Sequence, residues 1–222
     1  MATIQSIIDR VTDITRDTNH VRWTIPELSR WINDAQDQIA TLHPRSASQY
    51  VTLTLQAGAR QDLRTIDAAK RWIRLFELTC NVSNDTPTGR SIRQVSRPAL
   101  DFSTRTWRGK APTALEVKEF AMDEREVYTF DVNPPVQAGV KVLALVSVKP
   151  EPVAELDGNG ELVNPDEEFG LADGYDIPAV DYVLFRCFNK DANDPAYAAR
   201  AAQHLQVFNL AMGVETRDAG AA

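Results

Sequence analysis

Apolar residues recur at helical spacing near both ends of the chain and alternate at strand spacing in its middle. Ile4, Ile7, Ile8, Val11 and Ile14 form one stripe, with Gln5, Asp9, Arg10 and Asp13 between them, which predicts an amphipathic helix. Thr24-Ile25-Pro26-Glu27 announces a second helix. Thr24 is placed to cap it, Glu27 stands three residues on as in a capping box, and Pro26 falls in the first turn, where a missing N–H is tolerated. The stripe of this helix is Leu28, Trp31, Ile32, Ala35, Ile39 and Leu42, which puts Trp31 in the core. His43-Pro44 ends it, because a residue before proline is driven out of the helical region.

From residue 49 the period changes to two. Val51, Leu53 and Leu55 alternate with Thr52, Thr54 and Gln56, and Gly58 turns the chain. Trp72 to Val82 is rich in β-formers, the run Asn84-Asp85-Thr86-Pro87-Thr88-Gly89 is turn chemistry, and Ser91 to Val95 reads as a return strand. Arg97 to Lys110 has no clear period and reads as a short helical turn plus loop. Leu115, Val117 and Phe120 suggest a strand that pairs with Val127 to Val132 across Asp123-Glu124-Arg125; Asn133-Pro134-Pro135 breaks the run, and Val140 to Val148 forms a further strand. Residues 151–174, with four glycines among acidic residues, read as a long surface loop.

Helical spacing then returns. Asp176 is a candidate cap, Pro178 fits the first turn, and Val180, Val183, Leu184 and Cys187 make a stripe. Asn193-Asp194-Pro195 is a turn into a last helix carrying Ala198, Ala201, Ala202, Leu205, Phe208, Leu210 and Met212, with Gly213 as its left-handed cap. The fold class is therefore α+β. N- and C-terminal helices pack together around an inserted antiparallel β-sandwich or small barrel. The expected parts are a helical part at 1–48, a β-rich insertion at 49–150, an acidic loop at 151–174, a helical pair at 175–213 that completes the helical domain, and a flexible tail at 214–222.

Composition narrows the function. Hydrophobic residues make up 43% and charged residues 25% of the 222, which excludes whole-chain disorder. No run approaches a transmembrane length, and Met1-Ala2-Thr3-Ile4-Gln5 lacks a signal-peptide pattern, so a product made in the cytoplasm is expected. The formal net charge of -7 argues against a protein whose main task is gripping phosphates. Charge is segregated: residues 60–110 hold eleven basic and five acidic side chains, and residues 151–194 hold two basic and twelve acidic. These are either two solvated surfaces or the complementary faces of neighbouring subunits in a head-to-tail ring.

Candidate chemistry is sparse. His20, His43 and His204 have no metal-binding spacing and read as surface or capping residues. Cys80 and Cys187 read as buried small hydrophobes. Asp157, Asn159, Glu161 and Glu168 have the residue types of a calcium loop, but its sixth position is Leu162 where glycine is needed. Arg105-Thr106-Trp107-Arg108-Gly109-Lys110 is the one basic stretch interleaved with an aromatic. With Arg97 it is expected to supply a basic inter-subunit surface: Arg97, Arg105 and Arg108. No catalytic constellation, cofactor motif or metal motif is found.

The runs Trp23 to Gln36, Val51 to Gly58, Val132-Asn133-Pro134-Pro135-Val136, Asp181 to Asp191 and Ala199 to Leu205 together resemble the head-to-tail adaptor proteins of tailed bacteriophages, in particular the connector or tail tubular subunits of short-tailed phages. The resemblance covers residues 2 to about 213 and is weakest across 151–174. It implies a non-enzymatic virion protein at the head–tail junction, forming a ring, commonly of twelve subunits, docked on the portal protein and on a tail or nozzle protein, through which double-stranded DNA passes without specific binding. It implies no cofactor and no membrane. It also implies portal docking by the C-terminal segment, here Val214, Glu215, Thr216 and Arg217. Two other readings stay open: a β-domain binding module of a phage tail contacting a receptor or glycan, and a metal-dependent hydrolase using Asp157, Glu161 and Glu168.

Overall fold

The computed structural model describes residues 2–83, 86, 87, 89–103 and 106–214. In chain order its elements are α1 (Ile4–Thr15), α2 (Ile25–Leu42), β1 (Ser48–Thr54), β2 (Gly58–Asp62), α3 (Leu63–Ile66), β3 (Trp72–Asn81), β4 (Arg93–Gln94), α4 (Arg97–Ser103), β5 (Glu119–Met122), β6 (Thr129–Val136), β7 (Lys141–Val148), α5 (Asp176–Lys190) and α6 (Pro195–Ala211), with 3-10 turns at Pro44–Ala47 and Trp107–Gly109. Helices at both ends flank the sheets, the expected α+β order. The chain divides into two units, Met1–Ala47 with Pro150–Ala222, and Ser48–Lys149.

In the helical unit, Thr3 opens α1 by accepting the Ser6 N–H at 3.2 Å, and Arg16 closes it at φ 58°. Ile4, Ile7, Ile8 and Val11 are buried, but Ile14, the last of the predicted stripe, is 51% exposed. At α2 the Thr24 N–H donates to Glu27 Oε2 at 3.2 Å, and His43 ends the helix before Pro44. Leu28, Ile32, Ala35 and Ile39 are buried. Trp31 is not: it is half-buried and lines a cleft with Arg30, Asp34, Pro152 and Arg186. The buried tryptophan is Trp23, before the helix, whose Nε1 donates to the Cys187 carbonyl at 3.0 Å and whose ring meets Phe188 edge-on. Helix α5 packs against α1, α2 and α6. Asp176 lies in its first turn, one residue inside the cap position held by Tyr175, and pairs with Arg10 at 2.8 Å. Asp194 caps α6 by accepting the Ala196 N–H, and Gly213 takes φ +60° after its end, a conformation glycine adopts without steric cost.

Residues 151–174 form no helix or strand element, yet the segment is not a free surface loop. Val153, Ala154, Phe169 and Leu171 are buried. Its backbone is held by three polar side chains of α2 at helical spacing. Ser29 Oγ donates to the Ala154 carbonyl at 2.6 Å. Asn33 donates to the Val153 carbonyl at 2.7 Å and accepts the Val153 N–H at 2.8 Å. Gln36, 1% exposed, donates to the Glu151 carbonyl at 2.8 Å and accepts the Gly170 N–H at 3.0 Å. A Cβ at position 170 would lie 2.8 Å from Gln36 Oε1, so this close approach requires glycine. The start of α1 pairs with the same segment, Ile4 N–H to Glu167 O and Gln5 N–H to Pro165 O.

The β unit is a sandwich with no closed barrel. One sheet has the order β1-β7-β3, the other β2-β6-β5-β4. Val142, Ala144, Val146 and Val148 of β7 point inward with Leu53, Leu75 and Leu78, and meet Phe120, Phe130, Val132 and Val136 of the second sheet. Two sequence expectations change. The return strand after the turn is two residues long and pairs in parallel with β5, because Ser91 still bridges Cys80 of β3 before the chain crosses to the other sheet. Asn133-Pro134-Pro135 does not break its strand: β6 runs through to Val136. In the turn, Ser83 and Thr86 exchange backbone hydrogen bonds at 3.0 and 2.9 Å; Asn84, Asp85 and Thr88 lie outside the described residues.

The Gln36 clamp gives a direct stability test. Gln36→Ala removes the partners of the Glu151 carbonyl and the Gly170 N–H at a part-buried site, where water replaces them in part, and the expected loss is about 1–3 kcal/mol in all. Trp31→Ala, at a half-buried position, is expected to cost less than the about 3–5 kcal/mol of a core aromatic deletion. Urea unfolding midpoints of the two variants and the parent check both.

Candidate assembly surfaces

The outer face of the four-stranded sheet places Arg97. Phe130 and Val132 turn into the sandwich, so Asp131 between them faces outward, where helix α4 covers it. The Asp131 side chain is 3% exposed and accepts from Arg97 Nε at 2.8 Å. Arg97 also donates to Glu126 Oε2 at 2.7 Å, and Arg60 reaches the same oxygen at 2.7 Å. These guanidinium bonds, Arg97 first, with the Thr129 hydroxyl at 3.0 Å, pull the Glu126 carboxyl down to about 2. The charge of Arg97 is thus committed within its own unit.

Arg108 follows the same rule less tightly. It pairs with Asp101 at 2.5 Å and lies 4.5 Å over the ring of Trp107. Trp107 is buried, packs with Ala59, Leu100 and Ala121, and donates its Nε1 to Asp101 at 3.0 Å. Arg105 lies outside the described residues. Arg64 pairs with Asp62, and Arg93 with Glu119. Several arginines of the basic middle are thus paired with carboxylates inside the β unit. The exposed aromatics of that unit are Tyr50 at 60% on β1 and Phe102 at 93% on α4. One stands on a strand and the other on a helix, not as the cluster of sheet aromatics a glycan-binding face needs.

The helical unit exposes apolar side chains on two faces. On the first, Ile14 and Ile177, 51% and 62% exposed, line a groove of about 390 Å³ with Val180 and Leu184 at its base and Arg10, Asp13 and Asp181 beside it. On the second, α6 turns Ala201, Phe208 and Met212 inward and leaves Val207 and Leu210 outward, Leu210 79% exposed. Val214 continues that outward row at 38% exposure, its N–H bonded to the Asn209 carbonyl at 2.9 Å. Its predicted companions Glu215, Thr216 and Arg217 lie outside the described residues. His43 Nε2 donates to the Met212 carbonyl at 2.9 Å and ties the end of α6 to the end of α2. Sequence periodicity includes Ile14 and Leu210 in core stripes; their apolar character is legible, their exposure is not.

The candidate metal residues do not assemble. Asp157 Oδ1 accepts the backbone N–H groups of Asn159 at 2.8 Å and Glu161 at 2.9 Å, which lower its pKa, Glu161 first. The carboxylate thus closes its own turn. Glu168 instead bridges Thr3. Among the described residues no group of three or more His, Cys, Asp or Glu side chains is placed to hold a metal ion. Cys187 is buried, and burial pushes its thiol up to about 12, far from a nucleophile. Cys80 is only partly buried, unlike the sequence expectation, with its Sγ 3.6 Å from the Pro87 carbonyl. His204 bonds Asp181 through Nδ1 at 2.8 Å and stacks on Phe188, joining α6 to α5.

Exposed apolar faces on a firmly packed helical unit, with titratable groups engaged in structure, define a subunit that binds other proteins. The chain belongs to the SU10 adaptor protein family, whose model matches residues 2–222. It is a structural adaptor of bacteriophage virions. No curated protein matches the chain. Among the described residues no helix is long and apolar enough to cross a membrane.

The Arg97 network predicts acid sensitivity. The folded-state value of Glu126, about 2, lies below its ordinary 4.5, so its stabilising contribution is complete above pH 4.5 and is lost as pH falls toward 2. Arg97→Gln is expected to destabilise the protein at pH 7 by an amount at the low end of about 3–5 kcal/mol, because it strands buried Asp131 while Arg60 remains 3.9 Å away. The gap between parent and variant narrows as pH falls from 4.5 to 2. Thermal melts across that range check the sign and the window.

Proposed function

We propose that this protein is the head-to-tail adaptor of its virion. It forms a ring, of twelve copies in this reading, between the portal protein and a tail or nozzle protein. Double-stranded DNA passes through the ring without being specifically bound. The observation that carries this reading is the family match over residues 2–222. The net charge of -7 supports it, since a negative surface repels phosphate and leaves passing DNA nowhere to stick. The protein acts by assembly, with no reaction and no cofactor, and its place is the head–tail junction of a virion made in the host cytoplasm.

Residues 214–217 dock on the portal in this reading. Val214 already extends the apolar row of α6, and the polar residues after it add reach beyond the helix end. Arg105 and Arg108 serve at a contact between neighbouring β units, whereas Arg97 acts there indirectly, by holding α4 on its sheet.

A chain ended after Gly213 tests the docking. Among the described residues it removes only the exposed Val214, so it is expected to keep the parent melting temperature while failing to co-sediment with purified portal rings. Unchanged co-sedimentation removes the tail from the docking step. Failure of the full chain to bind portal rings overturns the adaptor reading itself.

A further inference from the structure

The two apolar faces of the helical unit differ in shape and lie on different sides of it. The groove between α1 and α5 is concave, with Ile14 and Ile177 on its rims. The row on α6 is a ridge. Gln203, Val207 and Leu210 recur at spacings of four and three and point opposite to Ala201 and Phe208, which pack inward. Arg200 stands on the flank of the ridge one helical turn earlier, exposed, its guanidinium 5.6 Å over the Phe188 ring and in no ion pair among the described residues. Asp13 stands at the groove, exposed and likewise in no ion pair among the described residues, while the neighbouring charges are used: Arg10 by Asp176 and Asp181 by His204. An apolar groove with a spare carboxylate and an apolar ridge with a spare guanidinium are complementary, and both belong to one chain.

We infer that the α6 ridge of one copy seats in the α1–α5 groove of a second copy, with Leu210 and Val207 against Ile14 and Ile177 and Arg200 facing Asp13. The occupant is a second copy because the same chain carries both halves of the match. The contact is heterologous: the patch used on one subunit differs from the patch used on its neighbour, so every subunit keeps one free half until a ring closes. This inference rests on the ring reading above and supplies its contact. It adds a contact between helical units to the one read for Arg105 and Arg108 between β units.

Complementing variants test it. Leu210→Asp spoils the ridge and Ile177→Asp spoils the groove; both sites are exposed, so both variants are expected to melt like the parent. In light-scattering chromatography of the full-length proteins, alone and with portal rings, each variant is expected to lose the parent's ring-sized species. Mixed one to one, they are expected to form a heterodimer that grows no further, since one intact ridge meets one intact groove. Arg200→Asp is expected to weaken assembly, and Asp13→Arg in the same chain to restore it. Rings that persist in either apolar variant, or no complex on mixing, overturn this contact while leaving the ring reading intact. A parent that forms no ring, alone or on the portal, overturns both.

Discussion

An irregular backbone laid against a helical unit has to find hydrogen bonds wherever it turns inward, and this one finds several of them in a single polar row of α2. Ser29, Asn33 and Gln36 lie on one line of that helix and hold Ala154, Val153, Glu151 and Gly170. Without them the segment before α5 would leave these amides and carbonyls unpaired, most costly at the buried Ala154 carbonyl. With them, Phe169 and Leu171 can bury. The position of α5, and through α5 of α6, follows from that row.

A second set of bonds works near the start of α2 and at the end of α5. Lys190 reaches Glu27 at 2.7 Å, Arg22 pairs with Asp191 at 2.9 Å, and Arg22 also bonds the Tyr197 hydroxyl at 2.8 Å. These groups are partly exposed, and each pair contributes little alone. Their value is register: they pin the turn between α1 and α2 to the turn between α5 and α6, so that outward faces stay outward.

Much of this fold is legible in the sequence because apolar periodicity reports burial in its simplest form. The stripe of α1 as far as Val11, the capping box of Thr24, the turn before Pro195, the alternation in β1 and β7 and the left-handed Gly213 all follow from local physics. What the sequence hides is burial of polar residues. Gln36 looks solvated until its two backbone partners, far along the chain, are known. Asp131 looks like the wet side of a strand until α4 covers it. Trp31 is only half-buried and Trp23 is buried, because an aromatic at a stripe position and one in a turn are not ranked by period alone. Pro134 and Pro135 look like a strand end, yet they sit beyond the last β5 pair at Asn133 and opposite the irregularity between Gly58 and Arg60, where no N–H is needed. Ile14 and Leu210 are the informative errors of the opposite kind, apolar by pattern and wet in the single chain.

The chain starts the helical unit, leaves it for all of Ser48–Lys149, and comes back to finish it. During synthesis the β unit therefore has all its strands in one continuous stretch and can close as it leaves the ribosome. Helices α1 and α2 must wait, their inner faces uncovered, until α5 has emerged. A product cut short before residue 176 contains a whole sandwich but lacks α5 and α6 altogether. The order of elements thus makes the helical unit the last to be completed: only a chain extended through Ala211 possesses both α5 and α6.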